Sequence, residues 1–194
     1  ALTDLLLKMK NNGCQTVTME VSSHALKQER VAGIHFDGAI FTNLTQDHLD
    51  FHHTFEDYRE SKGRLFQALG RGMQKERYGI INIDDAAAAY FKSVCPVPVW
   101  TYGMEQPATL QAVDYQVAQG GSKFRLRYQE AEYPVEIPLS GKFNVYNTLA
   151  AMAALLAENV PLDHVLEHIH SAPQVAGRFE RVEEGQPFTV IVDY

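Results

Sequence analysis

The stretch that decides the fold is Phe36–Leu69, FDGAIFTNLTQDHLDFHHTFEDYRESKGRLFQAL. Phe36 to Leu44 carries the aromatic and apolar types suited to a strand covered on both faces. A polar, histidine-rich segment follows. Thr54 with Asp57 three positions on resembles a capping box, opening a helix to about Leu69. Within that helix Phe55, Tyr58, Leu65 and Leu69 recur at three- and four-residue spacing, and Lys62 occupies the middle of the stripe.

The same alternation extends outward. Leu2–Asn12 has helical apolar spacing with Gly13 as its stop, and Thr16–Val21 reads as a strand followed by the polar segment Ser22–Arg30. Downstream, Tyr78–Ile83 reads as a strand, Asp84–Asp85 as a cap for the helix Ala86–Val94, and Pro96–Tyr102 as a short strand. Strands alternating with helices imply βαβ units, hence an α/β fold with a mostly parallel sheet flanked by helices. The texture changes after Gly103. Thr109–Val117 and Lys123–Tyr128 flank the hairpin turn Gln119-Gly120-Gly121-Ser122, and Tyr133–Leu139 adds a third extended run, a small antiparallel β annex. Helices resume over Asn144–Glu158 and Leu162–His170, and Phe179–Val182 and Phe188–Asp193 read as closing strands.

At 194 residues, 45% hydrophobic and 21% charged, the chain is long enough to bury a full core. A net charge of -7 argues against nucleic acid as a partner, because phosphate neutralisation needs a basic surface. Two cysteines, Cys14 and Cys95, make no disulfide framework or Cys-x-x-Cys pair and read as free thiols of a reducing cytoplasm. No apolar run approaches the ~20 residues of a membrane span. There is no initiator methionine, and the last residues, Phe188–Tyr194, look like a strand in progress, so the chain is expected to be a piece of a larger protein.

Three residues stand where packing alone does not want them. Glu20 ends a predicted strand, the edge of a parallel sheet where ligands collect; it is either a ligand for a hard cation such as Mg2+ or a solvent-facing carboxylate. His48 lies in Asp47-His48-Leu49-Asp50-Phe51-His52-His53, whose spacing fits no standard zinc pattern; His52 and His53 read as ordinary loop residues. Lys62 either snorkels past the helix edge or, desolvated and neutral, reacts with carbon dioxide to give a carbamate that can ligate a metal. After Glu20, Arg30 could grip a carboxylate or phosphate, with Ser22, Ser23 and Gln28 adding neutral hydrogen bonds. Asn144 and Asn147 straddle a helix start, where Asn144 reads as a cap, and Arg178 reads as a surface arginine. No complete Gly-x-x-x-x-Gly-Lys-Ser/Thr loop occurs.

Taken together, MEVSSHAL, FTNLTQDHLDFH, YRESKGRLF, LSGKFNVYN, GRFE and the terminal VIVDY resemble the ATP-dependent Mur ligases of peptidoglycan and cell-wall synthesis. The Ser-Ser-His after Glu20 and the Asp-His-Leu-Asp run favour the branch that adds the third amino acid, meso-diaminopimelate or L-lysine, to UDP-N-acetylmuramoyl-L-alanyl-D-glutamate. The resemblance implies that residues 1–194 are part of the ATP-binding central domain: 1–102 its α/β part, 103–143 its antiparallel part, 144–194 its helices and closing strands. It implies that the N-terminal UDP-binding and C-terminal domains lie outside the chain, along with the phosphate loop that precedes this region.

Roles follow residue by residue from the same resemblance. Glu20 matches the acid that holds the magnesium on the ATP phosphates, His48 a ligand of a second magnesium, and Lys62 the carbamylated lysine supporting that ion. Ser22, Gln28 and Arg30 match contacts to the UDP-muramoyl-dipeptide. Asn144 and Asn147 match the region near adenine, and Arg178 and Asp193 residues near the ribose and phosphates. The implied reaction runs through an acyl phosphate, and without its phosphate loop the chain alone is expected to be inactive. Competing readings are a folylpolyglutamate synthase-like ligase, a metal-dependent hydrolase built on His48, His52 and His53, and a non-catalytic binding module.

Overall fold

The computed structural model describes residues 2–45, 52, 54–70, 76–118, 120–173, 175–177, 180–182, 184–188 and 190–193. Its helices are α1 (Leu2–Asn11), α2 (Ser23–Lys27), α3 (Phe55–Ala68), α4 (Ala88–Val94), α5 (Lys142–Ala157) and α6 (Leu162–Ile169). Its strands are β1 (Gly38–Phe41), β2 (Tyr78–Asn82), β3 (Val99–Gly103), β4 (Leu110–Ala118), β5 (Gly121–Tyr128), β6 (Ala131–Ile137), β7 (Glu180–Val182) and β8 (Val190–Val192). A six-stranded, mostly parallel sheet takes them in the order β1-β2-β3-β4-β5-β6, with antiparallel pairs from β4 to β6, and β7 pairs with β8 separately. The chain divides into two compact units, residues 1–79 with 85–99, and residues 80–84 with 100–194.

In the first unit, local sequence sets the helix ends. Gly13 takes φ +86, the left-handed conformation a helix C-terminus favours, and its N–H donates to the Lys10 carbonyl at 3.0 Å. Thr54 caps α3 as its sequence suggests, accepting from the Asp57 N–H at 3.1 Å. The core gathers around Phe91 of α4, which stacks on Phe41 of β1 at 3.9 Å and meets Phe66 of α3 edge-on at 5.2 Å. Leu26, Leu44, Tyr58 and Leu69 are buried in the same unit. The expected strand Thr16–Val21 does not form. Val17, Met19 and Val21 alternate as a strand should, but no ladder includes them among the described residues, and a strand is made by its partner as much as by its pattern. Glu20 therefore sits on an unpaired segment entering α2, not at a strand's C-terminal end.

In the second unit, β3 pairs parallel with β4 (Tyr102↔Leu110), and β4, β5 and β6 form two successive hairpins. Ser122, Phe124, Leu126 and Tyr128 are buried, while Lys123, Arg125 and Arg127 point outward to Glu136, Asp114 and Glu132, the in–out alternation of a sheet with one covered face. Within the expected turn Gly120 takes φ +82 and Gly121 pairs with Ala118 across the β4–β5 hairpin, while Gln119 lies outside the described residues. At Gly121 a Cβ would fall 2.0 Å from the Ile137 carbonyl oxygen, so no side chain fits. Helix α5 packs against β4 and α6 against β6, with Val145, Leu149, Met152 and Ala153 fully buried.

Asp84 organises the loop after β3. Its Oδ2 accepts from the Met104 and Glu105 N–H groups and the Tyr146 hydroxyl, and its Oδ1 accepts from the Gln106 N–H. Burial alone would raise this carboxyl's pKa, but the backbone donors and the Tyr146 hydroxyl outweigh it and hold it below the usual aspartate value. Burial and the facing carboxylate push Tyr146 well above its ordinary range. Neither member of the acid pair expected to cap the next helix does so: Ala87 stands at the N-cap of α4 with no side-chain cap bond, and Asp85 accepts instead from the Ala87 N–H at 2.8 Å and the Leu44 N–H at 2.9 Å.

Candidate functional site

Lys62 stands on the face of α3 that the sequence assigns it, flanked by buried Tyr58, Ser61, Phe66 and Leu69. It is half-buried, and its ammonium lies 5.2 Å from the centroid of the Tyr58 ring, within cation–π reach. The lysine lines a cleft of about 50 Å³ with Val21, Thr42 and Asn43, floored by Leu26, Phe41, Leu65, Phe66 and Phe91. The cleft thus joins α3 to the two residues following β1 and to the residue following Glu20. Glu20 itself is exposed.

The donor types on this side fit a hard cation. Thr42 and Asn43 bring hydroxyl and amide oxygens beside Lys62, and Glu20, whose carboxylate is outside the cleft lining, precedes Val21 in the chain. As an ammonium Lys62 would repel a cation; as a carbamate it would present oxygen. No group of three or more His, Cys, Asp or Glu side chains placed to hold a metal ion occurs among the described residues. His48 lies outside the described residues, as does Arg178.

Around α2 the site residues are local neighbours. Ser22 is the N-cap, its Oγ accepting from the Ala25 N–H at 3.2 Å, and Gln28 is the C-cap. Arg30 lies in the next turn, its N–H donating to the Ala25 carbonyl at 2.8 Å. Ser22, Gln28 and Arg30 are all exposed.

Asn144, Asn147 and Asp193 belong to the second unit. Asn144 is not the helix cap expected of it. Gly141, at φ 96, occupies that position, and the Asn144 side chain, in the first turn, donates back to the Ser140 carbonyl at 2.8 Å. Asn144 is buried, whereas Asn147 and Asp193 are exposed.

One cluster escapes the sequence reading. His52, expected to be an ordinary loop residue, is 1% exposed. Its Nε2 lies 2.8 Å from Ser23 Oγ and its Nδ1 3.3 Å from Asp57 Oδ2, and that oxygen also receives the Lys27 ammonium. Burial lowers the His52 pKa despite the hydrogen bond it donates to Asp57, and the Lys27 hydrogen bond chiefly holds Asp57 below the usual range. With both ring nitrogens engaged and no exposed edge, His52 is unsuited to the zinc cluster of a hydrolase. Ser23 and His52 are 29 residues apart, and no periodicity links them.

Comparison with known proteins matches residues 1–155 to the Mur ligase middle domain. The chain is 46% identical over 189 residues to the UDP-N-acetylmuramoyl-L-alanyl-D-glutamate–2,6-diaminopimelate ligase of Geobacillus thermodenitrificans, covering 96% of this chain and 39% of the relative. It is 38% identical over 194 residues to the UDP-N-acetylmuramoyl-L-alanyl-D-glutamate–L-lysine ligase of Staphylococcus aureus, covering 100% of this chain and 39% of the relative. A solved structure of a UDP-N-acetylmuramoyl-L-alanyl-D-glutamate–2,6-diaminopimelate ligase superposes with a TM-score of 0.75 at 32% identity, over 85% of this chain and 34% of that one. The chain spans about two-fifths of the length of the curated relatives it matches.

Proposed function

The chain belongs to the Mur ligase family, and from that premise we propose that it is the central, ATP-side portion of a MurE-type amide ligase. The reaction joins the third amino acid to the glutamyl carboxylate of UDP-N-acetylmuramoyl-L-alanyl-D-glutamate at the expense of ATP. Relatives named for diaminopimelate and for lysine both cover this chain, so this stretch does not select between the two. The observation that carries the reading is Lys62, a half-buried amine in the middle of an apolar helix face, opening into a cleft with Val21, Thr42 and Asn43. A snorkelling lysine has no need of that company; a carbamate aimed at a cation does.

The chemistry divides into two displacements. The substrate carboxylate attacks the γ-phosphorus of ATP, ADP leaves, and an acyl phosphate results. The amino group of the incoming residue then attacks the acyl carbon, phosphate leaves, and the amide forms. Magnesium, when bound, screens the negative charges crowded in the first step, with Glu20, His48 and carbamylated Lys62 as its holders. Ser22, Gln28 and Arg30 bind the muramoyl-dipeptide. Ser22 Oγ already accepts from the Ala25 N–H, which leaves its hydroxyl proton to donate, while the Arg30 guanidinium suits a carboxylate or phosphate. Asn144, Asn147, Arg178 and Asp193 serve the nucleotide side. Positioning, with no protein nucleophile, supplies the rate. ATP and the UDP-linked precursor put the reaction in the cytoplasm, in keeping with free Cys14 and Cys95.

In the full-length ligase, Lys62→Ala is expected to lower ligation by about a hundredfold or more, the scale of losing one preorganised charged group. A short carboxylic acid such as formate is expected to restore part of it by standing in for the carbamate. Phosphate release that depends on ATP, the muramoyl-dipeptide and the amino acid is the assay. Full activity in the unrescued variant would refute the role of Lys62. The 194-residue chain alone is expected to show no turnover.

A further inference from the structure

The Ser23–His52–Asp57–Lys27 network has no part in the chemistry above. Its order imitates a hydrolase triad, but the Ser23 hydroxyl, on a residue 2% exposed, has no surface on which to meet a substrate, and Asp57 is shared with Lys27. The network connects two helices instead. Ser23 and Lys27 are the first and last residues of α2, and Asp57 is in the first turn of α3. The imidazole also meets His24 edge-on at 5.4 Å and lies 5.2 Å from the Tyr58 ring. Tyr58 is in turn the ring beneath the Lys62 ammonium.

Helix α2 is too short to hold itself, since isolated helices below ~12 residues are marginal in water. Its five residues and the following turn, where Glu29 takes φ 55, depend on anchors elsewhere. Those anchors are Leu26 in the core and the two polar links, Ser23–His52 and Lys27–Asp57. Ser22, Gln28 and Arg30 ride on this element.

We propose that His52 is a positioning residue that holds the Ser22–Arg30 segment in register with Tyr58 and Lys62, and so sets where the muramoyl-dipeptide sits against the metal side of the site. This rests on the ligase reading. Without the imidazole, Ser23 loses its buried partner and α2 is left to Leu26 and the Lys27 pair. A shift of about an ångström in substrate-positioning groups is enough to cost up to a hundredfold in efficiency. ATP does not use this segment and is not expected to feel the change.

The test is steady-state kinetics on the full-length ligase, comparing wild type with His52→Gln, Ser23→Ala and the double variant, while the muramoyl-dipeptide and ATP are varied separately. We expect KM for the dipeptide to rise about tenfold in each single variant, with KM for ATP within about twofold. The double variant is expected to be no worse than His52→Gln, because the two residues make one link. Should His52→Gln not fold, Ser23→Ala, which deletes one oxygen, carries the test alone. A dipeptide KM unchanged in a folded variant would overturn the proposal. So would a loss confined to kcat and the active fraction, which is what a purely structural role gives. Absence of ligation in the wild type would refute the ligase reading itself.

Discussion

Asp84→Asn tests whether one carboxylate holds the loop after β3. Asp84 takes four donors: the N–H groups of Met104 at 2.6 Å, Glu105 at 3.0 Å and Gln106 at 2.8 Å, and the Tyr146 hydroxyl at 2.8 Å. An amide keeps the shape but offers a single acceptor. Placed at Oδ2 it still serves three donors, now without charge, while its NH2 confronts the Gln106 N–H. Hydrogen bonds to a charged group are worth about 1.5–3 kcal/mol against about 1 for neutral ones. Glu105 and Gln106 are exposed and can turn to water, so the loss concentrates on Met104 and Tyr146, giving about 2–3 kcal/mol in all. The sole tryptophan, Trp100, lies in the same unit and stacks on Tyr128 at 6.3 Å, so its fluorescence in urea reports this unit's unfolding. Because the folded pKa of Asp84 is depressed, its contribution is full above the unfolded value near 4 and is lost as pH falls through the folded value. The variant is expected to lack that part of the acid dependence. A midpoint within about 0.5 kcal/mol of wild type at neutral pH, or an unchanged acid slope, would refute the reasoning.

Three further outcomes are expected. Ser61 Oγ is buried without a hydrogen-bond partner among the described residues, so Ser61→Ala should leave stability unchanged or raise it by up to about 1 kcal/mol in urea unfolding, where most buried substitutions lower it. Gly121→Ala would drive a methyl into the Ile137 carbonyl and should cost about 2 kcal/mol or more, with loss of amide protection along β5 and β6 in hydrogen exchange. Burial depresses the His52 pKa, so its contribution to stability is full above about 6.5 and is lost as pH falls from there through the lower folded value; protection of the α2 and α3 amides should follow that fall in the wild type and not in His52→Gln.

Local chemistry made part of this fold legible. The start of α3 could be read because Thr54 and Asp57 are three residues apart and need nothing else, and the hairpin at Gly120 because its turn geometry is carried by its own glycine. Thr16–Val21 has an equally plain strand pattern, yet a strand exists only where a neighbour supplies hydrogen bonds, and the pattern contains no information about the neighbour. Asn144 failed for a related reason. Asparagine favours caps, but Gly141 in a left-handed conformation starts the helix three residues earlier. Asp84 and Asp85 are adjacent and chemically identical, and only the fold sends Asp85 to the Ala87 and Leu44 N–H groups and Asp84 to a loop some twenty residues away.

The candidate site divides along the same line. Lys62 was conspicuous because it violates a local periodicity, and a violated pattern is itself a signal. His52 violates nothing. It lies in a polar stretch among other histidines, and its burial follows from Ser23 approaching across 29 residues. Sequence reasoning therefore finds residues whose chemistry conflicts with their own helix, and overlooks those that reconcile two helices with each other. If the Ser22 segment and Lys62 must meet one substrate, the residue joining their helices is as necessary to the geometry as either, and it belongs to the class that periodicity cannot reveal.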